Sequence, residues 1–154
     1  MKKILILGSE GFLGSVLVPH LLKYEDISIM GVDKCFFGNN NKNYKKFKLV
    51  KKDYNILEKN FFKDFDYIID LINISNDPAS ELNKKFTNQT NYLNKIKLYN
   101  KIKNIKKLSR YIYMSSCSVY GNNKNLITEK SKPKPISLYS KLCFKYEKFL
   151  KIKK

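Results

Sequence analysis

The sequence predicts an α/β fold, a doubly wound parallel sheet with helices on both faces. Three observations predict it. Apolar runs of strand length, KKILILG, ISIMGVD, FKLVKKD, YIIDLIN and RYIYMSS, recur along the chain. Stretches with helical spacing alternate with them. Glycines at positions 8, 11 and 14 stand where the first apolar run gives way to the first helical stretch. Continuous apolar runs are what strands buried on both faces require, and strands alternating with helices wind a parallel sheet in the right-handed crossover sense.

The first run, residues 2–8, is a strand, and FLGSVLVPHLLKY (12–24) turns to helical spacing with Pro19 as a local kink. Residues 27–33 form the second strand. A loop rich in Asn and Gly leads to the third, 47–53, and a short helix-like stretch follows around ILEKNFF. The fourth strand spans 67–73. Residues 78–104 are expected to form one long amphipathic helix carrying Leu82, Phe86, Tyr92, Ile96, Tyr99 and Ile102. The fifth strand is 110–116, and the proline-punctuated KSKPKPIS (130–137) leads into a last helix that begins near Tyr139. No repeat or low-complexity linker divides the 154 residues, which read as one domain.

Composition narrows the function. The chain carries 31 Lys and Arg against 13 Asp and Glu, a formal charge of +18. Nearly all of these cations are lysines scattered along the whole length, the pattern of solvated faces rather than of a nucleic-acid surface. Three cysteines without CxxC or Cys/His spacing predict neither a zinc or other metal site nor a disulfide framework, and they suit reduced thiols in a cytoplasm. The first apolar run is too short for a membrane span, is broken by Gly8 and Glu10, and lacks a signal-cleavage pattern.

The strongest chemical signal is GSEGFLGS, with Gly8, Gly11 and Gly14 in GxxGxxG spacing. A phosphate-binding turn needs glycine there: the chain bends sharply, a pyrophosphate touches backbone N–H groups, and the new helix packs tightly on the sheet. Glycines serving only a tight turn are the alternative. Asp33 ends the second strand 19 residues beyond Gly14. Its carboxylate suits an adenosine ribose diol and repels a 2′-phosphate, which favours NAD over NADP; a plain turn aspartate is the bland reading.

GSEGFLGS, DLINISNDPASELN, YIYMSSCSVYG and PKPISLYSKLCFKYEK, in this order, resemble successive blocks of the NAD-dependent epimerase/dehydratase family of extended short-chain dehydrogenase/reductases. The resemblance implies that residues 1–154 are a Rossmann-type NAD-binding domain and that the family's smaller C-terminal substrate domain is absent from this chain. It implies a nucleotide-sugar substrate whose hydroxyl is oxidised or reduced by hydride transfer with NAD. It makes Gly8, Gly11, Phe12, Leu13 and Gly14 the pyrophosphate turn, Asp33 the ribose acceptor, and Asp53 with Tyr54 the adenine end. It adds Asn91, which orders backbone near the active-site strand, and Ser115 beside the cofactor. Ser116 matches the serine that bonds the reacting sugar oxygen, and Tyr139 the catalytic acid/base; Tyr120 in the VYG turn reads as structural. For Asp53 an exposed turn residue, and for Asn91 an exposed helix residue, remain open alternatives.

Oxidising a sugar alcohol requires a base, and an ordinary phenol, with a pKa of about 10, is a poor one at neutral pH. In the family a lysine one turn after the tyrosine supplies the cation that tunes it. Here that position is Cys143. Lys141 and Lys145 lie roughly 200° and 240° around the helix from Tyr139, off its face. Bulk at Ile72 and Asn73, where the family carries small residues, is expected to narrow the nicotinamide pocket, with a simple loop hydrogen bond as the alternative for Asn73. The chain therefore reads as a truncated or catalytically impaired member, with a non-catalytic dinucleotide-binding or regulatory protein of the same fold as the alternative. The resemblance also implies a homodimer through the two long helices, weakened by Lys95, Lys101 and Lys103 on that surface.

Overall fold

The computed structural model describes residues 1–40, 44–124 and 126–153. Part of the Asn/Gly loop expected before the third strand, residues 41–43, lies outside the described residues. The chain forms two compact units, one of Met1–Ile72 with Leu98–Met114, the other of Asn73–Lys97 with Ser115–Lys154.

The first unit is a five-stranded parallel sheet, the Rossmann-like arrangement that the apolar runs predict. Its strands are β1 (Lys2–Leu7), β2 (Ile27–Asp33), β3 (Phe47–Lys51), β4 (Tyr67–Asp70) and β5 (Arg110–Tyr113), in the order β3-β2-β1-β4-β5. Side chains alternate across each strand, so the apolar runs fill two cores. Leu5, Leu7, Val32 and Ile68 face one side, where they pack with Phe62, Phe65, Leu98 and Ile102. Ile4, Ile6, Ile29 and Ile69 face the other and pack on Val18 of helix α1 (Phe12–Leu21). Helical segments therefore cover both faces. Helix α1 runs only two residues past Pro19, short of the expected Tyr24; beyond it the Lys23 and Tyr24 N–H groups bond three residues back, to His20 and Leu21, at 3.3 and 3.2 Å.

Strand ends fall where polar groups pull the chain out of the ladder. β4 stops at Asp70 instead of Asn73, since the Asp70 carboxylate takes the Ile72 N–H at 3.1 Å and the Tyr111 hydroxyl at 2.8 Å. β3 stops at Lys51, after which Asp53 caps a 3-10 turn at Tyr54–Ile56; a second follows at Lys59–Phe62.

In the second unit the expected single helix over 78–104 is broken into α2 (Asp77–Leu82), α3 (Lys84–Asn88), a π-helical turn (Gln89–Leu93) and α4 (Asn94–Ile102), whose end from Leu98 belongs to the first unit. Asn83 makes the break: with φ −144° and ψ 87° it leaves the helical region, and its side chain accepts the Phe86 N–H at 3.0 Å to start α3. The last helix, α5 (Leu138–Ile152), is capped by Ser137, whose hydroxyl accepts the Ser140 N–H at 3.2 Å. Two lysines expected on an exposed helix surface are elsewhere. Lys95 is fully buried, and the Lys101 ammonium donates to the carbonyls of Asn55 and Leu57 at 3.0 and 2.7 Å.

Candidate functional site

Within the first unit, the turn between β1 and α1 is held to a shape only glycine allows at two positions. Gly8 has φ +84°, and a Cβ on Gly14 would stand 2.4 Å from the carbonyl oxygens of both Gly8 and Ser9. Gly11 differs. A Cβ there would meet only the Gly8 carbonyl oxygen, at an ordinary 3.4 Å, so packing of the protein alone leaves room at the very point where a pyrophosphate is expected to approach. Gly11 also caps α1 without a side-chain bond, and Phe12 and Leu13 open the helix with exposed side chains. The turn therefore fits a dinucleotide phosphate at a helix N-terminus.

Asp33, at the end of β2, is tied to this turn. Its Oδ2 accepts the Glu10 N–H at 3.0 Å and its Oδ1 accepts the Cys35 N–H at 2.7 Å. Each carboxylate oxygen has a second lone pair, so a diol can still be bound. Burial and the flanking Asp33 and Glu10 carboxylates push the Cys35 thiol above its ordinary value. Asp53 spends its oxygens close by: Oδ1 accepts from the Asn55 backbone and side chain at 2.9 and 2.8 Å, and Oδ2 pairs with the Lys34 ammonium at 2.8 Å. Burial works against the charged carboxylate, but Lys34 and the Asn55 bonds outweigh it and hold Asp53 below the usual range. The Tyr54 side chain is buried in the core below. Ile72 packs on that same core, and its Cγ1 lies 3.1 Å from where a Gly8 Cβ would be.

Glu10 and Lys34 were not singled out by sequence. Glu10 is 1 % exposed; its Oε2 accepts the Asn40 N–H at 2.5 Å, and its backbone oxygen accepts from the Asn40 side chain at 3.2 Å. The one available signal was an acid inside a phosphate-binding turn. Nothing in the spacing pointed to Asn40.

Within the second unit, Ser116, Tyr139 and Cys143 come together. Ser116 caps a short turn at Cys117–Tyr120, its oxygen accepting the Ser118 N–H at 3.2 Å. The Tyr139 phenol shares hydrogen bonds with Ser116 and Cys143 and is largely buried with Val119. Burial pushes this phenol above its ordinary value, the Cys143 thiol adds to the rise, and the Ser116 bond pulls back only in part. Removing water from its hydroxyl makes Tyr139 a weaker acid than an ordinary phenol. Lys141 and Lys145 point to solvent, and the Lys145 ammonium rests 4.1 Å over the Tyr92 ring. Cys143 is completely buried.

Asn91 sits in the π-helical turn and is fully buried rather than exposed. Its amide brackets Ile74, accepting the backbone N–H at 2.8 Å and donating to the carbonyl at 3.1 Å. Ser115 donates its hydroxyl to Glu147, one turn beyond Cys143 on α5. The sequence reading missed Glu147 because a lone acid among lysines on a helix looks like a surface charge. Among the described residues no group of three or more His, Cys, Asp or Glu could hold a metal ion, and no helix is long and apolar enough to cross a membrane.

Comparison with known proteins agrees with this architecture. The family model described as the NAD dependent epimerase/dehydratase family matches residues 4–147. The dTDP-D-glucose 4,6-dehydratase of Dictyostelium discoideum is 32% identical over 156 residues, covering 88% of this chain and 36% of that protein. The bifunctional polymyxin resistance protein ArnA of Wigglesworthia glossinidia brevipalpis is 33% identical over 147 residues, covering 83% of this chain and 21% of that one. Among solved structures, a UDP-N-acetylglucosamine 4-epimerase from Methanobrevibacter ruminantium M1 superposes with a TM-score of 0.87 at 29% identity, covering 97% of this chain and 49% of that one. A UDP-glucuronic acid 4-epimerase from Bacillus cereus, in complex with NAD, gives a TM-score of 0.86 at 26% identity, covering 97% and 52%. The chain spans about half the length of these structures, and less of the two curated relatives.

Proposed function

Since the chain belongs to the NAD-dependent epimerase/dehydratase family, we propose that it binds NAD(H) through its first unit and that its own acid/base chemistry toward a nucleotide sugar is impaired. The observation that carries the first half is the link between turn and acid, in which the Glu10 N–H of the glycine turn donates to Asp33 at 3.0 Å. Gly8, Gly11, Gly14, Phe12 and Leu13 would hold the pyrophosphate, Asp33 the adenosine ribose, and Asp53 with Tyr54 would bound the adenine end. Asn91 and Ser115 would act by fixing backbone and helix within the second unit. When bound, NAD supplies a hydride acceptor.

On this reading Ser116 and Tyr139 address the sugar hydroxyl, with Tyr139 the proton acceptor. Its phenol is held up by burial and by Cys143, opposite to what a base at neutral pH requires. That observation also favours a second reading, a dinucleotide-binding protein of this fold that does no sugar chemistry. A nucleotide-sugar substrate and a homodimer belong to the proposal as family properties, and a soluble, cytoplasmic protein is its setting.

Calorimetric titration of the chain with NAD and NADP tests the cofactor assignment. NAD should bind tighter by at least about tenfold, and Asp33→Asn should narrow the gap, because the repulsion of a 2′-phosphate is lost. Equal or tighter NADP binding by the unaltered chain would remove Asp33 from its role.

A further inference from the structure

The loop after Asp33 presents two aromatic rings to solvent. Phe36 is 78 % exposed and Phe37 85 %, at the tip of a tight turn closed by the Gly38 N–H on the Cys35 carbonyl at 3.3 Å. Large apolar side chains gain nothing from such exposure, and this pair is not left on a slack loop. Cys35, at φ 59°, gives its N–H to Asp33, which fixes the start of the turn. Lys34 bonds Asp53 at 2.8 Å and lays its ammonium 5.6 Å from the centre of the Phe36 ring. Beyond the turn, Asn40 is fastened to buried Glu10 inside the glycine turn by two hydrogen bonds. Three anchors hold the exposed rings beside the groups read above as binding the dinucleotide.

We propose that Phe36 and Phe37 form a stacking element for the adenine of the bound dinucleotide, held in place by Glu10 and Lys34. The inference rests on Asp33 being the ribose acceptor. A base is joined to the same ribose that carries the 2′,3′-diol, so an acid that takes the diol puts the adenine, and not the nicotinamide, within reach of side chains two to four residues further on. Every base has a π-face, and stacking on an aromatic ring is a sizeable part of binding at exposed sites. One face of Phe36 is backed by the Lys34 cation, which leaves the other for the base.

The test is calorimetry on the full chain with NAD and with ADP-ribose, which share the adenosine end and differ in the nicotinamide. Phe36→Ala with Phe37→Ala together should weaken both ligands alike, by on the order of tenfold, while Phe36→Trp keeps the affinity. Both rings are solvent-facing, so the helical circular-dichroism signal should be unchanged. Unaltered binding of both ligands in the double variant overturns the stacking element. A loss confined to NAD overturns its assignment to adenine. A parent chain that binds neither ligand overturns the dinucleotide reading itself, and this proposal with it.

Discussion

At Tyr139 the environment and the missing cation act in the same direction. Burial keeps the phenol neutral, Cys143 reinforces it, and Lys141 and Lys145, the two lysines nearest in sequence, are exposed. An absorbance titration of the chain minus that of Tyr139→Phe should therefore show a group ionising above pH 10. Cys143→Lys should bring it down, by placing an ammonium one turn away. A phenol in the unaltered chain that ionises well below the ordinary range would mean that another cation serves it, and the impaired reading would fall. The raised value has a stability counterpart. A neutral phenol is what the folded state prefers, so its contribution is complete below the unfolded-state value of about 10 and is lost as pH rises through the higher folded-state value. The stability difference between the parent and Tyr139→Phe should accordingly shift against the parent between pH 9 and the alkaline limit of folding. The Tyr139–Cys143 pairing was legible from helical spacing, whereas Ser116 and the role of Tyr139 entered only through the resemblance to the family. The Lys34–Asp53 and Glu10–Asn40 ties were not legible, since each joins segments that only the folded sheet brings together.

The glycine turn and the π-helical turn show what whole elements demand of single positions. Gly14→Ala forces a methyl group to within 2.4 Å of two carbonyl oxygens, so unfolding in urea should show a loss of about 3 kcal/mol or a failure to fold. Gly11→Ala meets only ordinary contact. It should keep the urea midpoint close to that of the parent while weakening NAD, and this contrast separates packing from ligand approach. Asn91→Ala leaves the Ile74 N–H and carbonyl without their bracket and should cost about 2 kcal/mol in the same assay. β1, β2 and β4 could be read from their apolar runs because they are buried on both faces of the sheet, while the edge strands β3 and β5 carry apolar runs without a fully buried residue. The long helix was misread for a physical reason. Two of the apolar positions that supported it, Leu82 and Phe86, are exposed, and the spacing passes unaltered across Asn83, where the backbone departs from the helix.

Over the whole molecule the formal charge of +18 is spread widely, with few acids to offset it. Self-repulsion of this kind opposes the compact state and is screened by salt. Thermal unfolding should move up by several degrees between 20 and 300 mM sodium chloride, while NAD affinity stays nearly constant because it depends on backbone N–H groups and Asp33; a melting temperature that ignores salt would show that the lysines are too well solvated to repel. The helix surface expected to oppose a dimer through Lys95, Lys101 and Lys103 is less charged than the sequence implied, with Lys95 buried and Lys101 bonded to carbonyls. The sheet order has a bearing on how the chain is made. β1 is synthesised before the other strands yet lies at the centre, between β2 and β4, and among the described residues every pairing is parallel, with no hairpin to close locally. While the ribosome is still adding residues 34–66, the run Ile4–Leu7 has only one of its two neighbours, and β5 cannot join until Tyr113 has emerged. A nascent chain must therefore carry a bare, sticky central strand through much of translation, and slow or concentrated refolding from denaturant should favour precipitation over recovery unless a chaperone shields that strand.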